Sequence, residues 1–343
     1  MGEIGESFIG LTYKPTDVVS EGGLIVFRSS NIQNGCMDYK DIVRVNKNVK
    51  EKLITKKDDL LVCARNGSAR LIGKNAILHE IDANQTFGAF MMVFRSDINH
   101  FVHQLLNTRL YSSQVSENLG ARINQITSSD LSSFEFFFPK ENSEMNKIAA
   151  LLDLLDERIA TQNKIIDKLQ SLIKGIADKL FQTARTTKPL LEFAPNITSG
   201  TDKSGSGTIP LYGSTGIIGT VKNASQKGNI VLVARVGTIG TVQYVNEPCG
   251  VSDNALIVEA GEMTKYIYHF LKTYNFTRIT SGTTQPLITA SSLKKAAIPT
   301  YDIESQTRIV LCLNGLEKKL DMAKQYLSDI AVMKRYLLRQ MFI

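Results

Sequence analysis

The sequence predicts an α+β protein with two strand-rich modules, each followed by one long helix, and the two helices paired through a common seam. Two observations carry this. Adding 161 to Ile148, Leu152, Leu155, Ile159, Ile166, Leu169, Ile176 and Leu180 gives Ile309, Leu313, Leu316, Leu320, Leu327, Ile330, Leu337 and Met341. Apolar positions stepping by four and three mark the face of a helix that pairs with another helix. The segment before each helix is rich in short apolar runs and turn residues, and both segments end in similar ways.

In the first module, Leu24–Phe27, Leu60–Ala64 and Phe90–Phe94 are apolar runs of strand length bounded by Gly, Asn and Asp. Between Asn99 and Leu119 the pattern turns helical, with Phe101, Leu105 and Tyr111 among polar neighbours. Leu131 to Phe138 reads as a returning strand that Pro139 stops. Asn142 and Ser143 are placed to cap the helix that follows, which runs to about Thr183 with Gly175 as its one weak point, worth about 1 kcal/mol against Ala. About 35 helical residues at 1.5 Å each make roughly 50 Å, the length of a spacer. The second half repeats the plan. After the turn-rich Thr198–Gly207 come the runs Ile230–Ala234 and Ala255–Val258 and a helical patch from Lys265 to Tyr274. Leu293 to Pro299 closes the module, and a second long helix extends from about Glu304 to Met341.

The repeat offset is not constant. Gly10-Leu11-Thr12 matches Gly200-Thr201 near 190, Ala64-Arg65-Asn66-Gly67-Ser68 matches Ala234-Arg235-Val236-Gly237-Thr238 at 170, and the helices match at 161. The deletions therefore fall in the modules while the helices keep register, as expected of rigid spacers with exchangeable readers. Two seam positions are polar, Gln162 and Lys334. Either they lie near solvent, or they are buried groups that fix register or contact a partner.

The 343 residues suffice for two domains, and the net charge of +7 favours polyanionic partners. Four cysteines without a CxxC pair fit a reduced, cytoplasmic setting, and the N-terminus lacks the basic start and apolar core of a signal peptide. No apolar stretch approaches the roughly 20 residues of a membrane span, so a soluble chain is expected. No catalytic motif emerges. Gly67–Lys74 has five residues between its glycines where a phosphate loop needs four, and Asn75 stands in place of a Ser or Thr. Gly205 and Gly207 lack a third glycine and a following helix. His100 and His103 have no further ligand nearby and read as a surface pair at a helix start. Glu317-x-Lys319 lies on the seam helix without the upstream Pro-Asp of a nuclease.

The duplicated order of these segments resembles the specificity (S) subunits of type I restriction–modification systems, over essentially the whole length. The resemblance rests on Asn124-Gln125-Ile126 to Leu131, Pro139 and Asn146 through Leu155-Asp156-Glu157-Arg158-Ile159. The second copy is Thr284-Gln285-Pro286-Leu287-Ile288 to Leu293, Pro299 and Gln306 through Leu316-Glu317-Lys318-Lys319-Leu320. The turn Ile209-Pro210-Leu211-Tyr212-Gly213-Ser214-Thr215-Gly216 and the strand ends at Ala64 and Ala234 add to it, whereas the first module carries Arg28-Ser29-Ser30-Asn31-Ile32 in place of the glycine–tyrosine turn. The resemblance implies target recognition domains at 1–141 and 185–301, each reading half of a split double-stranded DNA target. It implies conserved spacer helices at 142–184 and 302–343, packed as an antiparallel coiled coil with pseudo-two-fold symmetry. Two methylation subunits would dock, and restriction subunits would join that assembly. S-adenosylmethionine, ATP and magnesium would belong to those partners, and this chain would be non-catalytic.

Reading bases needs donors and acceptors on loops, with Arg and Lys for phosphates and guanine and Asn and Gln for adenine. The candidates are Arg28, Ser29, Asn31, Arg65, Asn66, Arg70, Lys74 and Arg122 in the first module. In the second they are Lys203, Tyr212, Ser214, Thr215, Arg235, Thr238, Thr283, Thr284 and Gln285. Arg65 and Arg235 stand out, because each follows an apolar strand and precedes a glycine in both copies. Two rival readings remain. A single-chain methyltransferase or nuclease would need a cofactor motif. A coiled-coil adaptor that binds no DNA would better suit modules of balanced charge.

Overall fold

The computed structural model describes residues 1–119, 124–282 and 286–342. Its helices are α1 (Asn99–Leu105), α2 (Arg109–Leu119), α3 (Ser128–Ser133), α4 (Asn142–Gln182), α5 (Thr264–Thr273), α6 (Ala290–Lys294) and α7 (Ile303–Met341). The chain divides into two compact units, Met1–Lys164 with Gln325–Ile343, and Ile165–Lys324. Each long helix thus contributes one part to each unit.

In the first unit the main sheet is antiparallel, in the order Glu6–Ile9, Met91–Arg95, Leu60–Cys63, Asn75–Ile77. Side chains alternate across a strand. Leu60 and Val62 pack with Met92, Phe94, Val102 and Leu105, whereas Leu61 and Cys63 pack with Phe27, Phe87 and Val93. Burial on both faces is why these strands read as unbroken apolar runs. A second sheet pairs Val26–Phe27 with Thr86–Phe87 in parallel and Leu24–Ile25 with Arg44–Val45 antiparallel.

The second unit repeats this arrangement with fewer residues. Its main sheet has the order Thr198–Ser199, Ala255–Val258, Ile230–Ala234, Val242–Val245. Val231, Val233, Leu256 and Val258 meet α5 through Ile267 and Leu271, while Ile230, Leu232 and Ile257 face Val245 and Val251. Leu211–Tyr212 pairs in parallel with Gly250–Val251, and Ile209–Tyr212 pairs antiparallel with Ile217–Val221.

The glycines Gly10 and Gly200 confirm the correspondence. A Cβ on Gly10 would stand 2.4 Å from the Phe87 carbonyl and 2.3 Å from that of Gly88, and one on Gly200 would stand 2.2 Å from Val251 and 2.4 Å from Ser252. Both sites require a residue without a side chain where one strand crosses the other sheet.

The helices run antiparallel within each unit. In the first, Met145 and Ala149 near the start of α4 pack with Phe101 and with Phe342 beyond the end of α7, and Lys334 donates to Asp156 at 2.5 Å. In the second, the end of α4 meets the start of α7: Thr183 and Tyr301 share a hydrogen bond at 3.0 Å, and Ala177 and Phe181 share a core with Ile309 and Leu313. The seam residues Ile148, Leu152, Leu155, Ile159, Ile166, Leu169, Ile309, Leu313, Leu316, Leu320, Leu327 and Ile330 are all buried or half-buried. Gln162 is buried as well.

Three local expectations are corrected. Leu131 to Phe138 is not a strand. Thr127 accepts from the Asp130 amide at 3.1 Å and Asp130 accepts from the Thr127 amide at 2.8 Å, a capping box that starts α3. The second module has the same device in Thr289 and Ser292, which starts α6. Asn142 and Ser143 lie inside the first turn of α4, not ahead of it. His103 is not a surface residue. It is buried, its Nδ1–H donating to Asn75 Oδ1 at 2.7 Å, and burial pushes its pKa down to about 4. His100 is half-exposed and bridges Asp153 (2.5 Å) and Asp58 (3.3 Å), and the Asp153 hydrogen bond holds its pKa above the ordinary value.

The four cysteines are free, and no helix among the described residues is long and apolar enough to cross a membrane.

Candidate nucleic-acid interface

In the first module several candidates converge at the ends of the central strands. Asn66 Nδ2 donates to Ser29 Oγ at 3.0 Å, and Lys74 Nζ donates to the Ser29 carbonyl at 3.2 Å. These contacts join three loops 37 and 45 residues apart in sequence. Asn66 also accepts from the Ser68 amide at 3.0 Å, which fixes the turn after the strand. Arg28 and Ser29 line a groove with Thr12, Tyr13 and Phe90, and Arg70 and Lys74 line a neighbouring cavity with Asn107 and Tyr111. Burial lowers the Lys74 pKa, so the site holds a partly desolvated cation. Arg65, Arg70 and Lys74 make no ion pair among the described residues, whereas Arg28 is bound to Asp41 at 2.7 Å.

Asn31 does not belong to this surface. It is fully buried: its Oδ1 accepts from the Arg28 amide at 2.8 Å, and its Nδ2 donates to the carbonyls of Asp38 and Asp41 at 3.0 Å. Its amide is spent on shaping the loop that presents Arg28 and Ser29. Arg122 lies outside the described residues.

Phe90 is a surface residue that sequence reasoning missed. The apolar run Phe90–Phe94 reads as strand throughout, but the strand begins at Met91, and Phe90 is 57% exposed with the Arg65 guanidinium 5.1 Å from its ring centroid. The turn signal Gly88-Ala89 immediately before it was the available clue.

In the second module the turn after Tyr212 is closed by the Gly213 amide donating to the Gly216 carbonyl at 2.8 Å. Gln243 Nε2 braces it through the carbonyls of Gly213 (2.9 Å) and Ser214 (3.3 Å). Ser214 is half-buried and Thr215 is exposed at its tip. Tyr212 donates to Glu247 at 2.8 Å, and burial together with that carboxylate pushes its pKa up to about 12. Arg235 donates its amide to the Asn254 carbonyl at 3.0 Å and its carbonyl accepts from the Ile288 amide at 3.0 Å, and its Nε is buried without a partner among the described residues. Lys203 and Thr238 are exposed on their loops. Thr283, Thr284 and Gln285 lie outside the described residues.

Arg65 and Arg235 stand at the same strand end in their modules, one residue out of step. The Arg65 amide donates to the Phe90 carbonyl and the Ile126 amide to the Ala64 carbonyl, at the end of the strand whose neighbour starts at Met91. In the second module the Arg235 amide donates to the Asn254 carbonyl, where the neighbouring strand starts at Ala255, and the Arg235 carbonyl itself accepts from the Ile288 amide; the extra residue of the first module is accommodated there by Ala64 and Arg65 both donating to the Phe90 carbonyl. No group of three or more His, Cys, Asp or Glu among the described residues is placed to hold a metal ion.

The family model described as "Type I restriction modification DNA specificity domain" matches residues 1–171 and 187–331. The chain belongs to this family. It is 29% identical over 173 residues to the type I restriction enzyme EcoKI specificity subunit of Escherichia coli (strain K12), covering 48% of this chain and 37% of that protein. It is 27% identical over 184 residues to the StySPI specificity subunit of Salmonella potsdam, covering 51% and 39%. These matches span less than two-fifths of the curated relatives' own lengths. Its fold is similar to that of the crystal structure of the type I restriction–modification S subunit from M. genitalium, with a TM-score of 0.72 at 19% identity over 100% of this chain and 94% of that one. A chain from a structural study of assembly and conformational transition of the type I R-M system matches at TM-score 0.52 and 13% identity, covering 98% and 97%. The likeness to these two chains thus extends over nearly the whole fold.

Proposed function

We propose that the chain is the DNA sequence-specificity subunit of a type I restriction–modification system, with recognition modules at 1–141 and 185–301 and spacer helices at 142–184 and 302–343. The observation that carries this reading is the paired placement of Arg65 and Arg235. Two modules of the same strand order present a cation at the same strand end, in a family whose description is DNA specificity. Arginine at such a position suits phosphate or guanine contact.

The target is bipartite with an unread gap. Helices of 41 and 39 residues, about 60 Å each, exceed one turn of B-DNA, roughly 34–36 Å. Two methylation subunits dock on the chain and restriction subunits join the assembly in the cytoplasm. S-adenosylmethionine, ATP and magnesium are bound by those partners, and this chain performs no catalysis. The test is an electrophoretic shift with pooled duplexes, with and without methylation subunits, followed by footprinting. Two protected patches separated by an open interval are expected. One continuous footprint refutes bipartite reading, and no shift with any duplex leaves the adaptor reading in its place.

A further inference from the structure

We infer that Phe90 is a positioning residue that holds Arg65 for guanine readout in the first half-site, and that its absence from the second module gives the two modules different base preferences. This inference rests on the reading that the first module binds DNA.

Two arginines of the first unit lie over phenylalanine rings, each with its guanidinium carbon 5.1 Å from a centroid, and they differ in what remains free. Arg95, over Phe8, is spent. It donates to Asp59 at 2.8 and 2.9 Å and to the carbonyls of Ile54 (2.6 Å) and Lys52 (3.1 Å). Arg65, over Phe90, is exposed and has neither an ion pair nor a side-chain hydrogen bond among the described residues. Stacking uses the face of a guanidinium and leaves its in-plane N–H fork available. A fork held in one orientation has less freedom to lose when it meets an acceptor pair. Guanine O6 and N7 in the major groove are the commonest such pair for arginine.

The rest of the neighbourhood suits the role. Asn66, next in sequence to Arg65, is tied to Ser29, and Phe90 lines the groove that holds Arg28, Ser29 and Tyr13. The second module removes the ring and keeps the arginine. The carbonyl that accepts from the Arg235 amide belongs to Asn254, as that of Phe90 does for Arg65. The following strands, from Met91 and Ala255, fix Phe90 and Asn254 as equivalents. Asn254 offers no ring, so Arg235 is not stacked in this way.

The test assembles the full chain with its methylation subunits and selects from duplexes randomised in both half-sites, sequencing bound against unbound DNA. Phe90→Asn, which introduces the second module's residue at an exposed position, is expected to weaken the best sequence about 3- to 10-fold. It should flatten a guanine preference at one position of the first half-site and leave the second half-site profile unchanged. Arg65→Ala should flatten the same position, Phe90→Tyr should restore it, and Phe90→Asn with Arg65→Ala should be no worse than Arg65→Ala alone. A Phe90→Asn profile identical to wild type overturns the inference. So does a uniform loss at every position with a shallower salt dependence, which would assign Arg65 to a phosphate. A wild-type assembly that selects no sequence overturns the DNA reading itself, and this inference with it.

Discussion

The Lys334–Asp156 pair joins the two long helices inside the first unit, and breaking it should loosen that unit in a way a double-mutant cycle can measure. At 2.5 Å the gross attraction is about 7 kcal/mol at an effective dielectric near 20 and about 2 kcal/mol in bulk-like water. The side chains are 12% and 27% exposed, so desolvation offsets much of the larger figure. Asp156 also accepts from Gln104 Nε2 at 2.8 Å, so removing Lys334 does not strip the carboxylate of every partner. Lys334→Met should therefore cost about 2 kcal/mol, below the ~3–5 kcal/mol of a pair broken with no residual partner. Lys334→Met, Asp156→Asn and the double variant should show a coupling of about 1–3 kcal/mol. Amide hydrogen exchange resolved to peptides of 145–160 and 325–342 reports the opening free energy of this unit, while peptides of 309–324 serve as the internal control. Additive single effects, or equal loss of protection in the control peptides, would refute the assignment of this pair as a local register lock.

Acidification should destabilise the first unit through His103. Its pKa is depressed to about 4 against 6.5 unfolded, so its contribution, on the order of 3 kcal/mol, is present above pH 6.5 and lost as pH falls toward 4. His103→Gln should flatten that part of a urea-midpoint profile. His100 acts with the opposite sign, since its raised pKa gives stability that is full below about 6.5 and fades as pH rises through the folded value. Gly10→Ala and Gly200→Ala should each cost about 1–3 kcal/mol or more, because the contacted atoms are backbone carbonyls of a paired strand, while Gly67→Ala, open on all sides, should be near neutral by thermal melting. Arg235→Ala should weaken binding to a second-half-site duplex about 5- to 150-fold while size-exclusion chromatography shows unchanged pairing with methylation subunits. Unchanged DNA affinity removes Arg235 from the interface.

Periodicity made the helices and their seam legible, because few structures besides a paired helix produce an apolar face repeated every three to four residues over about 40 positions. The changing offset made the modules legible as shortened copies, and Gly10 and Gly200 show why even a weak match at 190 was informative: both are sterically obligatory. What sequence reading misjudged was the direction of side chains near strand ends and caps. Asn31 looked like an adenine reader, but an amide in a loop serves the backbone equally well, and here it is fully buried in that task. Phe90 read as the first residue of a strand, but it precedes four buried strand residues, and one residue of strand boundary decides whether a ring is inside or out. Leu131 to Phe138 read as strand, whereas the Thr127–Asp130 capping box starts a short helix that takes in Leu131.

The polar contacts between each module and its stretch of helix explain why the duplicated plan tolerates such variable modules. In the first unit Asp153 and Asp156 of α4 face α1 through Gln104, at 2.7 and 2.8 Å, with His103 3.9 Å from Asp156. The same helix positions 161 residues later are Asn314 and Glu317 of α7. They face α5 through His269 Nε2, 2.9 Å from Asn314 Oδ1, with its Nδ1 3.8 Å from Glu317 and Lys272 donating to Glu317 at 2.5 Å. Burial lowers the pKa of both histidines; His103 gives its N–H to Asn75 inside its own module, so Gln104 carries the contact with α4, whereas His269 itself meets α7. An apolar seam alone would accept a module shifted by two turns, since its pattern repeats along the helix. A buried imidazole and amide that find acceptors at one turn only would be left unsatisfied at any other, a cost of about 1–3 kcal/mol per group. That penalty fixes the turn on which each module sits without constraining the loops at its far strand ends, where Arg65, Phe90 and Arg235 differ in their surroundings. Docking is thereby specified by a small repeated polar set, and the recognition surface is free to vary.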